Sequence, residues 1–589
     1  MRYTAACLTD GPKPTGADWH SRIAGLDADY DDLKLVIVPA LPAGEDANEI
    51  RAGFADTAKH FGVHIAGAVG PQGYLMGPDG IDALADSNEL YPVVHTDIGD
   101  VAVVVGDDLR SHEVVRGHTL AGAEIILNPV RERPDALSHA RTVARSARAY
   151  ENLAAVLVAS AGGTSGVWDG RGYEQVSGGA ETDAVADKID LDSLRTYRTL
   201  PMLNFPAQLR TKLYAVEYDR AAARAKDWAQ PEKGATKPSI APYQVLIAQA
   251  HITTASTVEN ADEIISMNLD RSLGMASKFA GRPDVKLVVF PEYWMTGASF
   301  GKSVDDFWPK VGINMSGPHF ERLQQFASKV GSYVGGAIFE YDPDWPRRWF
   351  NTAFIINPSG DVIHKYRKIQ CGDINGLLNN TTPGNVYSEY VKRYGEDGLF
   401  PIADTDIGTL ATCICYDTNF PELWRSLALR GAEVMIYPTG EPHNSHRTPW
   451  DLAKCAHAAE NQTYIVSANA GCESSVPGGP TTFFHRGYSK LIGPDGRTIA
   501  VADTGGEVPL VARMDIDALR RARLDKGISI MDKIDFEKAA DMYRSHEGFP
   551  LDWALEKPTE TADEGIAVVM KTMARYREQG VYRAPQKAA

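Results

Sequence analysis

The chain has 589 residues, 44% hydrophobic and 23% charged, with a formal net charge of −17. That balance disfavours anionic partners such as nucleic acid or an acidic membrane surface, and the length suits several domains. Six cysteines are too few for a disulfide framework, no apolar run approaches the ~18 residues of a membrane helix, and the N-terminal run is too short for a secretory leader, so a reducing cytoplasm is expected.

In chain order, the short apolar runs 35–38, 101–105 and 154–158 predict buried strands, because they are continuous and rich in β-branched residues. Residues 201–242 carry five prolines among many charges and read as a linker with one helix near 214–228. Further strands are predicted at 287–290, 409–414 and 464–467. Residues 421–430 predict a helix, with Pro421 and Glu422 in its first turn and Arg430-Gly431 as its stop. At the C-terminal end, Thr561 to Glu564 has capping-box spacing. Ile566, Val569, Met570 and Met573 then form an apolar stripe that needs a partner surface, more often the chain's own body than another subunit. Alternating strands and helices predict α/β layers around central sheets.

The chain repeats itself. At a constant offset of 309 residues, 96–162 aligns with 405–471 without a gap. Thr96-Asp97-Ile98-Gly99 falls on Thr405-Asp406-Ile407-Gly408, Gly122-Ala123-Glu124 on Gly431-Ala432-Glu433, and Glu151-Asn152 on Glu460-Asn461. The expected organisation is a first copy over 1–200, a linker over 201–242, a second copy over 243–523 and an extension over 524–589.

Only the second copy carries reactive groups. Glu292 follows a predicted strand in Phe290-Pro291-Glu292, Lys368 closes Tyr366-Arg367-Lys368, and Cys415 opens Cys415-Tyr416-Asp417 at another strand end. Strand ends are where open α/β sheets present side chains to a ligand. A thiol needs a base to become a nucleophile, a nearby carboxylate supplies one, and a lysine can hold the charge of a tetrahedral oxyanion. A metal reading of His443, His446, Cys455 and His457 is weak, because their spacing fits no tight zinc pattern. Cys413 and Cys415 sit at strand spacing, as a redox pair or with Cys413 packed behind a nucleophile.

As a set these segments, with Asn419-Phe420-Pro421-Glu422-Leu423-Trp424-Arg425 and Ala468-Asn469-Ala470-Gly471, resemble the carbon–nitrogen hydrolase (nitrilase) superfamily. The resemblance implies tandem αββα sandwiches, a catalytic triad of Glu292 as base, Lys368 as oxyanion-stabilising cation and Cys415 as nucleophile, and an oxyanion hole completed by the backbone N–H of Tyr416. It implies no metal or organic cofactor, and a small-molecule amide as the partner. Tyr416-Asp417 and the 419–425 run are closer to the aliphatic amidase and formamidase branch than to nitrilases. A nitrilase or carbamoyl hydrolase is the alternative within the superfamily, and a binding or regulatory pseudoenzyme the alternative outside it.

Family members usually carry a second glutamate between the lysine and a Pro-Gly, where this chain has Asn379-Asn380-Thr381-Thr382-Pro383-Gly384. Asp373, Glu389 and Glu441 are the candidates to replace it. The first copy has Ala40 and Gly106 in place of Glu292 and Cys415, and no lysine between Lys59 and Lys188. It is expected to be silent and to act as a built-in partner, a pseudo-dimer within one chain, with further homo-oligomerisation open.

Overall fold

The computed structural model describes residues 1–9, 16–84, 89–179, 181–228, 237–370, 378–444, 448–525 and 527–585. The chain divides into two compact units. One comprises Met1–Leu209, Thr448–Ala456 and Met570–Ala589, the other Arg210–Arg447 and His457–Val569.

The N-terminal unit contains strands β1 (Arg2–Leu8), β2 (Leu33–Ile37), β3 (His64–Val69), β4 (Gln72–Met76), β5 (Val94–Thr96), β6 (Gly99–Val103), β7 (Ile125–Arg131), β8 (Ala155–Ala161), β9 (Ser165–Trp168), β10 (Glu174–Gly178) and β11 (Ala184–Asp190). They form two sheets, ordered β11-β1-β2-β3-β4 and β10-β9-β8-β7-β6-β5. Each is parallel at its centre and antiparallel at its edges. Ala5, Leu35 and Ile37 of the first sheet meet Val101, Ile125 and Leu127 of the second in one buried layer. The helices Gly16–Asp29 and Ala47–Phe61 cover the first sheet through Trp19, Ile23, Phe54 and Ala58.

The second unit contains β12 (Tyr243–Gln249), β13 (His251–Thr253), β14 (Val285–Val289), β15 (Tyr333–Tyr341), β16 (Trp349–Ile356), β17 (Val362–Arg367), β18 (Ala403–Thr405), β19 (Gly408–Thr412), β20 (Val434–Thr439), β21 (Tyr464–Asn469), β22 (Cys472–Ser474), β23 (Thr481–Phe484), β24 (Lys490–Ile492), β25 (Thr498–Val501) and β26 (Val508–Met514). Its main sheets are ordered β17-β16-β15-β14-β12-β26 and β18-β19-β20-β21-β24-β25, beside a small sheet β13-β22-β23. Val245, Leu287 and Val289 pack against Leu410, Val434 and Ile436 between the two main sheets. Helix Val258–Ala280, opened by a Thr257 capping box, and helix Pro318–Val330 cover the outer face of the first. Burial on both faces explains why these central strands read as continuous apolar runs.

The same side-chain bonds recur in both units, each in its own sandwich. Arg116 donates to the Glu151 carbonyl at 2.9 Å, as Arg425 does to that of Glu460 at 2.9 Å. Arg195 grips Glu124 through two bonds of 2.7 Å, and Arg520 grips Glu433 at 2.6 and 3.1 Å. The Tyr3 hydroxyl donates to the Ile98 carbonyl, and that of Tyr243 to the Ile407 carbonyl, both at 2.9 Å.

Helix Thr211–Trp228 and the segment from Leu524 to Val569 both fall within the second unit, where Tyr543 of helix Phe536–Ser545 packs on Tyr214 and Tyr218. In the last helix, Ala562–Glu578, Val569 and Met573 are buried but Met570 is 57% exposed. Residues 566, 569 and 573 line one helix face, and Met570 is turned about 100° from Val569, out of the predicted stripe. Among the described residues no helix is long and apolar enough to cross a membrane.

Candidate active site

Glu292, Lys368 and Cys415 leave the ends of three different strands, β14, β17 and β19, and all three are buried. Lys368 Nζ lies 2.8 Å from Glu292 Oε1. The same oxygen accepts a second bond, at 2.6 Å, from Asn351 Nδ2 on β16. Both donors thus meet on the one oxygen, Oε1. The Lys368 backbone N–H in turn donates to the Asn351 carbonyl at 2.9 Å, so sheet register carries both side chains to one carboxylate.

Cys415 opens a short 3₁₀ helix, Cys415–Asn419, with φ at +43°. That left-handed conformation strains a residue with a Cβ by ~1–2 kcal/mol. β19 therefore stops at Thr412, earlier than the predicted 409–414, and the chain turns at the cysteine rather than running through it. The elbow is held by Tyr437, whose hydroxyl donates to the Cys415 carbonyl at 2.6 Å. Tyr437→Phe should cost about 1 kcal/mol of stability and slow turnover as the thiol drifts. Thermal unfolding and rate measurements check this, and a variant unchanged in both leaves the elbow without this support.

Burial pushes the Cys415 thiol up to about 12, and the Glu292 carboxylate adds to this. Lys368, the Thr439 hydroxyl and the Gly440 backbone pull the other way. Gly440 has no room for a side chain, since a Cβ there would meet the Tyr293 hydroxyl at 1.8 Å. Asp417 clamps the cysteine and lysine segments together. It accepts from Ile414 N at 2.9 Å, Tyr366 Oη at 2.8 Å and Gln370 N at 3.1 Å, while burial pushes its carboxyl up to about 6.

This geometry coincides with a known sequence pattern. The family model for carbon-nitrogen hydrolases matches residues 245–524. Residues 245–524 therefore carry a carbon–nitrogen hydrolase (nitrilase) superfamily domain. The hydrolase is 26% identical over 259 residues to omega-amidase NIT2 of Xenopus tropicalis, covering 44% of this chain and 86% of that one. It is 28% identical over 242 residues to a probable nitrilase of Schizosaccharomyces pombe, covering 41% and 79%. Among solved structures, Saccharomyces cerevisiae Nit3 matches 51% of the hydrolase and 100% of its own chain, at 24% identity and a TM-score of 0.41.

The other candidates separate. Tyr416 is buried in the first turn of the 3₁₀ helix. Glu441 lies two residues beyond the end of β20, is buried, and accepts from Thr439 Oγ1 at 3.3 Å. Glu389 does not join them. It lies on helix Tyr387–Tyr394 and is paired with Arg393 at 2.8 Å and with Lys392. An i,i+4 partner on its own helix satisfies it at the surface. Asp373, Cys371 and His446 lie outside the described residues. Asn379, where a second glutamate was sought, is occupied elsewhere, accepting from Trp349 Nε1 at 3.1 Å.

Among the described residues no group of three or more His, Cys, Asp or Glu side chains could hold a metal. His457 binds Glu460 at 2.9 Å and the Thr418 carbonyl at 2.8 Å, and Cys455 is buried. Cys413 is fully buried, which raises its thiol well above the usual range.

In the N-terminal unit Gly106 occupies a matching elbow with φ at +63°, and Asn128, at the position equivalent to Tyr437, donates to its carbonyl at 3.0 Å. Glu132, equivalent to Glu441, is held by Arg145 at 2.7 Å and by Ser160 at 2.9 Å. A similar backbone turn stands there with no thiol on it.

Proposed function

We propose that the protein is an amidohydrolase that cleaves a carboxamide C–N bond through a thioester at Cys415. The observation that carries this is the convergence of a carboxylate, an ammonium and a thiol from three strand ends, with Glu292 and Lys368 at 2.8 Å. A thiol pushed to about 12 is not a thiolate at neutral pH, so it needs a base at the moment of attack. Glu292 takes the thiol proton on Oε2, its Oε1 being engaged by Lys368 and Asn351. The sulfur attacks the amide carbonyl, and Lys368 with the Tyr416 N–H holds the oxyanion. Glu292 then returns the proton to the departing nitrogen, ammonia or an amine leaves, and water, deprotonated by the same carboxylate, hydrolyses the thioester.

Similarity to omega-amidases and the Tyr416-Asp417 sequence favour an amide, while similarity to a probable nitrilase keeps nitriles as the second reading. A screen for ammonia release from aliphatic, aromatic and dicarboxylic amides, with the matching nitriles, decides between them. Release from nitriles alone overturns the amidase reading, and release from neither favours a pseudoenzyme.

The N-terminal unit is proposed to be a silent copy that serves the catalytic one as a scaffold. Its support is the shared strand order, the recurring arginine bonds and the empty elbow at Gly106. A fragment of residues 210–589 is expected to lose solubility or activity. If it is a fully active monomer, the scaffold role fails.

A further inference from the structure

The C-terminal extension of the catalytic unit is sewn onto the segment that follows the catalytic lysine. Asp552 N donates to the Gly384 carbonyl at 3.0 Å, Ala554 N to that of Asn385 at 3.1 Å, and Ser388 N to Asp552 Oδ1 at 2.8 Å. The Asn385 side chain is the knot. Its Oδ1 accepts from Trp553 Nε1 at 2.8 Å, Arg210 Nη2 at 2.7 Å and Thr382 Oγ1 at 3.0 Å. Arg348 reaches the carbonyls of Ala554 and Leu555, both at 2.8 Å, and Asn379 Nδ2 reaches that of Glu560 at 3.0 Å.

These bonds have a destination. Thr381 N donates to the Trp349 carbonyl at 2.9 Å, so the fastened segment runs along β16 two residues from Asn351, the partner of Glu292. Asn379 also reaches the Lys302 carbonyl at 3.1 Å, tying the segment to the loop beyond Tyr293 and Phe300. A stretch rich in asparagine and threonine gains this order from partners 160 or more residues away in sequence, since it has little apolar surface of its own to bury.

We propose that residues 548–560 are a specificity strap: by fixing 379–388 beside Trp349 and Asn351, they set how tightly the site holds the amide before attack. The strap rests on the amidase reading for its substrate class. Trp553 and Asn385 are positioning residues, and the chemistry at Cys415 does not use them.

The test uses the full-length protein and chloroacetamide, which carries an amide and alkylates a thiol without turnover. The S–C bond forms, chloride leaves with the C–Cl electron pair, and Glu292 takes the thiol proton. Trp553→Phe keeps an aromatic ring beside Phe549 while removing the indole N–H along with the fused ring, and Asn385→Ala removes the knot. Both are expected to raise the half-saturating chloroacetamide concentration at Cys415 by about fivefold, the loss one net hydrogen bond supports. The limiting rate should stay within about twofold, and modification by methyl methanethiosulfonate, which carries no amide, should be unchanged. An unchanged half-saturating concentration in Trp553→Phe overturns the strap. So does a joint fall of the limiting rate and the methanethiosulfonate rate, which would mean a collapsed triad. Wild-type protein that releases no ammonia from any amide, yet shows the shift in its variants, sinks the amidase reading and leaves the strap standing.

Discussion

Cys415→Ala is expected to eliminate hydrolysis, by at least about 10⁴-fold, because it removes the attacking sulfur itself. Stability should barely change, since replacing a thiol by hydrogen removes little packing and the φ of +43° is retained. Cys415→Gly should be equally inactive but about 1 kcal/mol more stable than the alanine variant, because glycine accepts a left-handed backbone without strain. Ammonia release and thermal unfolding of the two variants, compared in parallel, check both statements. A Cys415→Ala protein with an undiminished rate refutes the assignment.

The wild-type thiol makes a companion prediction about pH. Its ionisation is pushed up to about 12, so its thiolate form is scarce throughout the neutral range. Alkylation of Cys415 should therefore show no inflection at the pH of ~8–9 where an ordinary cysteine ionises. An inflection there would mean that the buried thiol ionises on its own and that Glu292 is not its base.

Glu292→Gln is expected to lower kcat about 10³-fold, within the usual worth of a positioned general base. It should also destabilise the protein by about 3 kcal/mol, because it leaves the buried ammonium of Lys368 without its carboxylate. Glutamine can still accept from Asn351 and Lys368, so geometry is preserved while charge is lost. The double variant Glu292→Gln/Lys368→Met should regain most of the stability and none of the rate, since removing both members of a buried ion pair costs less than removing one. Denaturant unfolding and single-turnover acylation separate the two effects. A rate within tenfold of wild type in Glu292→Gln assigns the proton transfer to another group.

Much of this was legible from residue types and spacing. The runs 287–290 and 409–414 place Glu292 and Cys415 near the ends of β14 and β19, because short β-branched runs bounded by polar residues are buried strands, whereas β17, which ends just before Lys368, is not among the predicted strands. Asn351 was not legible. A neutral amide inside Phe350-Asn351-Thr352 has no charge signature, and only the register of β16 against Lys368 gives it a role. Glu389 stands only as one of the carboxylates nearest the asparagines, and Arg393 four residues on already signals a surface pair. The strap was illegible for a different reason: its bonds join residues 552–560 to 348–388, and no local periodicity records so distant a contact.

The buried, neutral thiol has a consequence beyond catalysis. Peroxides and soft metals attack thiolates, and their damage to cysteine follows exposure and ionisation. A nucleophile that is 8% exposed and stays protonated offers neither. The same enclosure that makes a base necessary should therefore also slow oxidation of the Cys415 thiol.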